Sequence, residues 1–284
     1  FKIGGAYIGL ELATYFNAFN VKTTVIEAPD RIAPNEDADI SQVLAESLTE
    51  QGINLAVSTK VLKVDDDNKQ ISLEAEQNGN KLNFEGEKIL IATGRIPSLD
   101  DLDLDAAGIK YGRHGIEVND FLQTNIPSIY AAGDAIPSLQ LEHVAVYEGW
   151  LAAKNMYGAK KATDYRIIPR VMFSHPQVAS VGETEEQAAN RSEIVSTSYP
   201  YAGIARAQID RQKQGIIKLI ADASTKKLLG AHIVGDEAGN LIHIASAIMK
   251  SGVELDKIAD SVSAYPTLSQ GFFYAIDQIN EKLS

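Results

Sequence analysis

Apolar and polar positions change period several times along the chain, and each change marks an element. Residues 1–3 read as the end of a buried strand, Gly4 to Gly9 as a tight turn, and Leu10-Glu11-Leu12-Ala13-Thr14-Tyr15-Phe16 as the start of a helix. A short apolar run, Val25-Ile26, ends on Glu27. Within 37–51, Ile40, Val43, Leu44 and Leu48 fall at helical spacing. A strand is predicted at 54–58, then antiparallel strands at 61–64, 70–76 and 81–84, the last two joined by Gln77-Asn78-Gly79-Asn80. The run at 88–94 predicts a fully buried parallel strand.

Beyond residue 96 the pattern thins. It predicts a short strand at 115–118, another at 128–134 with Gly133-Asp134 at its end, and a helix at 142–156. So few strands should not close a core of their own, so this segment is expected to join a larger unit. From 166 onward strands precede helices: 168–173, a hairpin of 215–220 with 228–234, then helices at 237–250, 254–261 and 268–283. The fold class is therefore α/β at the front, with an α+β layer at the back.

Composition narrows the function classes. The 284 residues allow two or three packed units. Acids outnumber bases 38 to 26, a net charge of −12, which argues against nucleic acid or an anionic membrane as partner. No apolar run approaches the ~18 residues of a membrane span, and no basic stretch with a cleavage site suggests export, so a cytoplasmic protein is expected. Cysteine is absent, so these residues cannot form a disulfide, a thiolate zinc site or a redox CxxC. His114, His143, His175, His232 and His243 show no HxH or HxxxH spacing, and no metal site is expected.

Strand, glycine turn, helix, strand and terminal acid are what a Rossmann-type βαβ unit needs to hold a dinucleotide. Gly4, Ala6 and Gly9 occupy the three fingerprint positions, so the middle glycine is an alanine. Its methyl narrows the approach of backbone to pyrophosphate. The Glu27 carboxylate would accept hydrogen bonds from the adenine-ribose hydroxyls and repel a 2′-phosphate. No arginine pair follows it, only Arg31, so NADH is expected over NADPH.

Further stretches give the reading a family. GGAYIGLELA at 4–13, ATGRIP at 92–97, TNIPSIYAAGD at 124–134, LEHVAVYEG at 141–149, IPRVMFSHPQVASVGETEEQA at 168–188, GIIKLI with LLGAHIVGDEAGNLI within 215–242, and YPTLSQ at 265–270 resemble the pyridine nucleotide–disulfide oxidoreductases in family order. That family includes dihydrolipoamide dehydrogenase, glutathione reductase, mercuric reductase and soluble transhydrogenase. The resemblance implies an NAD-binding domain at 1–95, the central part of an FAD domain at 96–165 and a dimerisation domain at 166–284. It also implies that the first flavin-binding segment, about 150 to 170 residues in a domain of ordinary size, precedes Phe1 in the complete enzyme. The printed chain alone is expected to be inactive.

The resemblance assigns roles residue by residue. Tyr7 is similar to the ring that covers the flavin and swings aside for the nicotinamide, and Glu11 to the acid that holds the carboxamide. Gly94 and Arg95 belong to the ATGRIP stretch, and Asp134 of Gly133-Asp134 resembles the acceptor for the flavin ribityl chain. Leu141, His143 and Ala145 match the stretch whose backbone faces the flavin pyrimidine edge. Thiol-exchanging relatives carry histidine and glutamate where this chain has Tyr265 and Gln270. A phenol ordinarily keeps its proton at neutral pH and an amide carries no charge, so the acid–base pair for thiol exchange is missing. The chain also lacks the C-terminal cysteine pair typical of mercuric reductase.

The expected function is thus an FAD-dependent, NADH-linked oxidoreductase that passes hydride to flavin and on to a small-molecule acceptor. A disulfide reductase that tolerates the missing base, and a non-catalytic NAD-binding and dimerising module, are the alternatives. A homodimer is expected from the resemblance, and from Phe272, Phe273 and Tyr274 in a final helix with little obvious partner inside one chain.

Overall fold

The computed structural model describes residues 1–67 and 70–284. They form two compact units, one of residues 1–93 with 169–284 and one of residues 94–168. No helix among the described residues is long and apolar enough to cross a membrane.

The first unit opens with β1 (Lys2–Ile3), α1 (Tyr7–Ala18), β2 (Thr24–Ile26), α2 (Ala38–Glu50) and β3 (Asn54–Ala56). An antiparallel layer follows, β4 (Thr59–Asp66), β5 (Ile71–Gln77) and β6 (Asn80–Gly86), and then β7 (Leu90–Ile91). β3, β2, β1 and β7 lie side by side in that order as a parallel sheet, with Lys2 opposite both Val25 and Leu90. α1 ends where Asn20 adopts φ 61°, a left-handed conformation asparagine tolerates. Helical spacing put Ile40, Leu44 and Leu48 on one face of α2, and all three are fully buried with Leu10, Ala13 and Val25. Each such side chain contributes about 1.5–3 kcal/mol of hydrophobic stabilisation. The strand predicted at 88–94 is shorter and less buried than expected. Only Leu90 and Ile91 pair, and Ile91 is 70% exposed, because β7 is the edge of the sheet.

The second unit contains a small ladder, β8 (Tyr111–Gly112) with β9 (Gly115–Ile116), a 3-10 turn at Gly133–Ala135, and α3 (Glu142–Met156). Two expectations fail here. Residues 128–134 form no strand: Tyr130 makes a single bridge to Gln123. The side chains of Gln123 and Thr124 capture the carbonyls of Pro127, Ile126 and Ile129 instead. The segment also gathers its own core, Leu99, Leu104, Ile109, Ile116, Leu122, Ile136, Leu151 and Ala152, mostly from loops and α3.

The chain then returns to the first unit. β10 (Arg170–Met172), β11 (Gln177–Gly182), α4 (Glu185–Ala189), β12 (Ile194–Pro200), α5 (Ala205–Asp210), β13 (Ile216–Asp222) and β14 (Leu228–Gly235) precede α6 (Ala238–Ser251) and α7 (Ser269–Leu283). The five strands form an antiparallel sheet in the order β10, β11, β14, β13, β12. Met172, Val178 and Val234 join the cluster around Leu10 and Leu44, so the parallel sheet's helices and this sheet share one core. The helix predicted at 254–261 is only a 3-10 turn at Leu255–Lys257. Phe272 is fully buried inside the chain, and the Tyr274 ring lies 5.3 Å from that of Tyr199, so both have intramolecular partners. That part of the sequence argument for a dimer does not hold.

Candidate nucleotide-binding site

The glycine turn is built by close approach. Gly4 has φ 112° and donates its N–H to Ile26 O at 3.0 Å. A Cβ on Gly4 would stand 2.3 Å from Ala92 O, and one on Gly9 would stand 1.8 Å from Gly4 O. Neither site admits a side chain, which is why the strand end, turn and helix can touch. Ala6 is the N-cap of α1, extended at φ −97° and ψ −167°, and no side chain caps the helix. The first-turn N–H groups and the helix dipole therefore offer an anion a seat.

Glu27 leaves β2 beside this turn. Its Oε2 accepts the Gly5 N–H and its Oε1 the Ala28 N–H at 3.0 Å. The guanidinium of Arg31 is engaged elsewhere, with Pro34 O at 3.1 Å and Asp30 at 3.7 Å.

Tyr7 and Glu11 lie on the first turns of α1, and each is tied to a remote segment. The Tyr7 hydroxyl donates to Glu36 Oε1 at 2.7 Å, and the Glu11 Oε1 accepts the Phe173 N–H at 2.8 Å. Glu36 is 2% exposed. It also accepts the Ser180 hydroxyl at 3.2 Å and faces His232 Nδ1 at 3.3 Å. The other ring nitrogen of His232 faces Glu183 O at 3.0 Å. Burial alone would raise the Glu36 carboxyl, but the bonds from His232 and Tyr7, with Arg170 nearby, bring it down to about 2. The Tyr7 phenol moves the opposite way, raised by burial and by Glu36.

In the second unit, Asp134 sits in the 3-10 turn with 41% of its side chain exposed. Its Oδ2 accepts from Arg95 Nη2 at 2.8 Å. Gly94 precedes that arginine at φ 126°. Gly133 adopts φ 70°, and a Cβ there would lie 3.1 Å from the Cβ of Ala145 on α3. Leu141 is the extended N-cap of α3 and makes no side-chain cap bond, and His143 follows in the first turn. A partly exposed carboxylate beside an uncapped helix start suits a polyol chain and a ring with hydrogen-bond acceptors. The two glycine-bearing turns thus fit the flavin and the dinucleotide that the sequence implies.

Tyr265 is 71% exposed, whereas Gln270 is buried and its Oε1 has no hydrogen-bond partner among the described residues. The two are not joined as a hydrogen-bonded pair. Sequence reading missed Glu36, Ser180 and His232, because their roles exist only after distant segments meet. It also missed Glu148, although there the signal was present: a carboxylate on the face of α3 that carries Val144, Leu151 and Ala152.

The pyridine nucleotide-disulphide oxidoreductase family profile matches residues 2–149, and that of its dimerisation domain matches residues 168–275. The chain belongs to this family, whose members are FAD-dependent oxidoreductases that use NAD(P)H. It is 38% identical over 272 residues to a mercuric reductase of Staphylococcus aureus, covering 95% of this chain and 50% of that protein. It is 34% identical to a dihydrolipoyl dehydrogenase of Bacillus subtilis, covering 96% of this chain and 60% of the other. Among solved structures, the HOCl-induced flavoprotein disulfide reductase RclA from Escherichia coli superposes with a TM-score of 0.89 at 29% identity, over 98% of this chain and 64% of that one. The chain spans about half the length of the mercuric reductases it matches.

Proposed function

We propose that the chain supplies the NAD-binding, central and interface parts of a cytoplasmic, homodimeric, FAD-dependent oxidoreductase that takes its electrons from NADH. The observation that carries this reading is the Glu27 carboxylate lying against the Gly5 N–H of the glycine turn. A carboxylate so placed accepts ribose hydroxyls and repels a 2′-phosphate, and Arg31 is committed to Pro34 and Asp30 rather than to a phosphate. The uncapped start of α1 receives the pyrophosphate. Tyr7 and Glu11 border the nicotinamide, and Arg95, Asp134 and the start of α3 hold the flavin. When bound, the flavin would supply hydride acceptance from the reduced nicotinamide and delivery of electrons onward.

The acceptor beyond the flavin is a small molecule reached without a histidine–glutamate base, since Tyr265 and Gln270 stand at those positions. The test is rapid-mixing reduction of the full-length holoenzyme by NADH and by NADPH. Reduction at least tenfold more efficient with NADH is expected, and a tenfold preference for NADPH would remove the argument from Glu27. A second reading is favoured by the names of two relatives, dihydrolipoyl dehydrogenase and flavoprotein disulfide reductase. Turnover of lipoamide or glutathione disulfide at rates typical of such enzymes would establish it.

A further inference from the structure

Glu148 lies on α3 with Val144, Leu151, Ala152 and Asn155, on the face that packs inward, and it is 0% exposed. A carboxylate survives there only if its oxygens are hydrogen-bonded. They are divided between two segments distant in sequence. Oε2 accepts the Gly133 N–H at 2.6 Å, and Oε1 accepts the Tyr165 hydroxyl at 2.8 Å. Burial and the neighbouring carboxylate raise the Tyr165 phenol, which keeps it a donor. The adjacent Tyr147 hydroxyl accepts the Asp164 N–H at 2.9 Å, and the two tyrosine rings meet edge-on.

Gly133 is the residue before Asp134 and opens the 3-10 turn that presents it. The turn is thus held from inside by a charge-assisted bond and packed against Ala145 on α3. From outside it is held by Arg95, but both members of that ion pair are roughly half exposed, and exposed pairs contribute little. The buried bond is the stronger one.

We propose that Glu148 is a positioning residue for the flavin: it fixes the Gly133–Asp134 turn from beneath, with Tyr165 completing the clamp, so that the Asp134 carboxylate meets the ribityl chain. The inference rests on the reading that Asp134 holds the flavin. Asn155, bonded to Phe121 O and Lys161 O at 3.0 and 2.9 Å, and the buried Val144, Leu151 and Ala152 hold α3 independently of that carboxylate.

The experiment uses the full-length protein, stripped of FAD and reconstituted, with the FAD dissociation constant read by fluorescence. Amide exchange at Gly133, Asp134 and Ala135 is followed in the apoprotein. Glu148→Ala should weaken FAD binding at least tenfold and speed exchange at those three amides. Tyr165→Phe should weaken binding about threefold, and Glu148→Gln, whose amide oxygen can still accept the Gly133 N–H, should stay within threefold of the parent. Asp134→Ala is the control on the underlying reading. If it weakens FAD while Glu148→Ala and Tyr165→Phe match the parent in both readouts, the clamp is overturned and the reading of Asp134 stands. If Asp134→Ala binds FAD like the parent, that reading falls and the inference with it. Should Glu148→Ala fail to fold, Tyr165→Phe decides: unchanged exchange and unchanged affinity overturn the clamp.

Discussion

Glu36 in the first unit and Glu148 in the second are both buried carboxylates that back a residue singled out by the sequence. Glu36 holds the Tyr7 hydroxyl, and Glu148 holds the amide ahead of Asp134. Their surroundings differ. Glu36 faces the His232 imidazole and has Arg170 nearby, while the adjoining Asp37 shares Lys218 with Asp39 and Glu185 at 3.2, 3.0 and 2.6 Å. Glu148 is met by a neutral amide and a phenol. A buried carboxylate faced by an imidazole and a nearby guanidinium leaves several buried groups without a partner when it is removed, whereas one held by an amide and a phenol mainly aims the groups that touch it.

The largest test of this contrast is Glu36→Ala. It leaves the Tyr7 and Ser180 hydroxyls and the His232 ring without their buried acceptor, and urea unfolding should show a loss of about 3–5 kcal/mol. A loss under 1 kcal/mol would erase the distinction between the two carboxylates. Next comes acid. The Glu36 carboxyl is lowered from its ordinary 4.5 to about 2, so the folded state favours its ionised form. That contribution, about 3 kcal/mol by linkage, is fully present above pH 4.5 and is lost as the pH falls through 2. Stability measured across that window should fall less steeply in Glu36→Gln than in the parent, and parallel curves would contradict the assignment. The smallest expected effect is that of Glu148→Gln on stability. Its neutral partners accept an amide, and unfolding should change by less than about 1 kcal/mol. A loss as large as that of Glu36→Ala would put both carboxylates in one class.

Local features carried the sequence reading furthest. The glycine turn, Glu27 and the helical stripe of Ile40, Leu44 and Leu48 depend on neighbours within one supersecondary unit, so spacing alone reveals them. Residues 128–134 misled because an apolar run led by Ile129 and Tyr130 was read as a strand, while the side chains of Gln123 and Thr124 satisfy the backbone locally. β11 and β12 escaped notice, as did the clustering of Glu36 with Ser180 and His232, which lie 144 and 196 residues away. Gly9 shows the other side of the lesson. The fingerprint named it for a cofactor, yet its closest constraint is the Gly4 carbonyl, a contact that packs helix onto strand.

The first unit is assembled from two stretches separated by residues 94–168, and this has a consequence for its birth on the ribosome. At about 5–20 residues per second, the 196 positions between Glu36 and His232 take roughly 10 to 40 s to translate. Through that interval the nascent 1–93 stretch carries an acid awaiting its counterpart and an apolar helix face awaiting Met172, Val178 and Val234. A pause in synthesis at that stage would prolong the exposure of both.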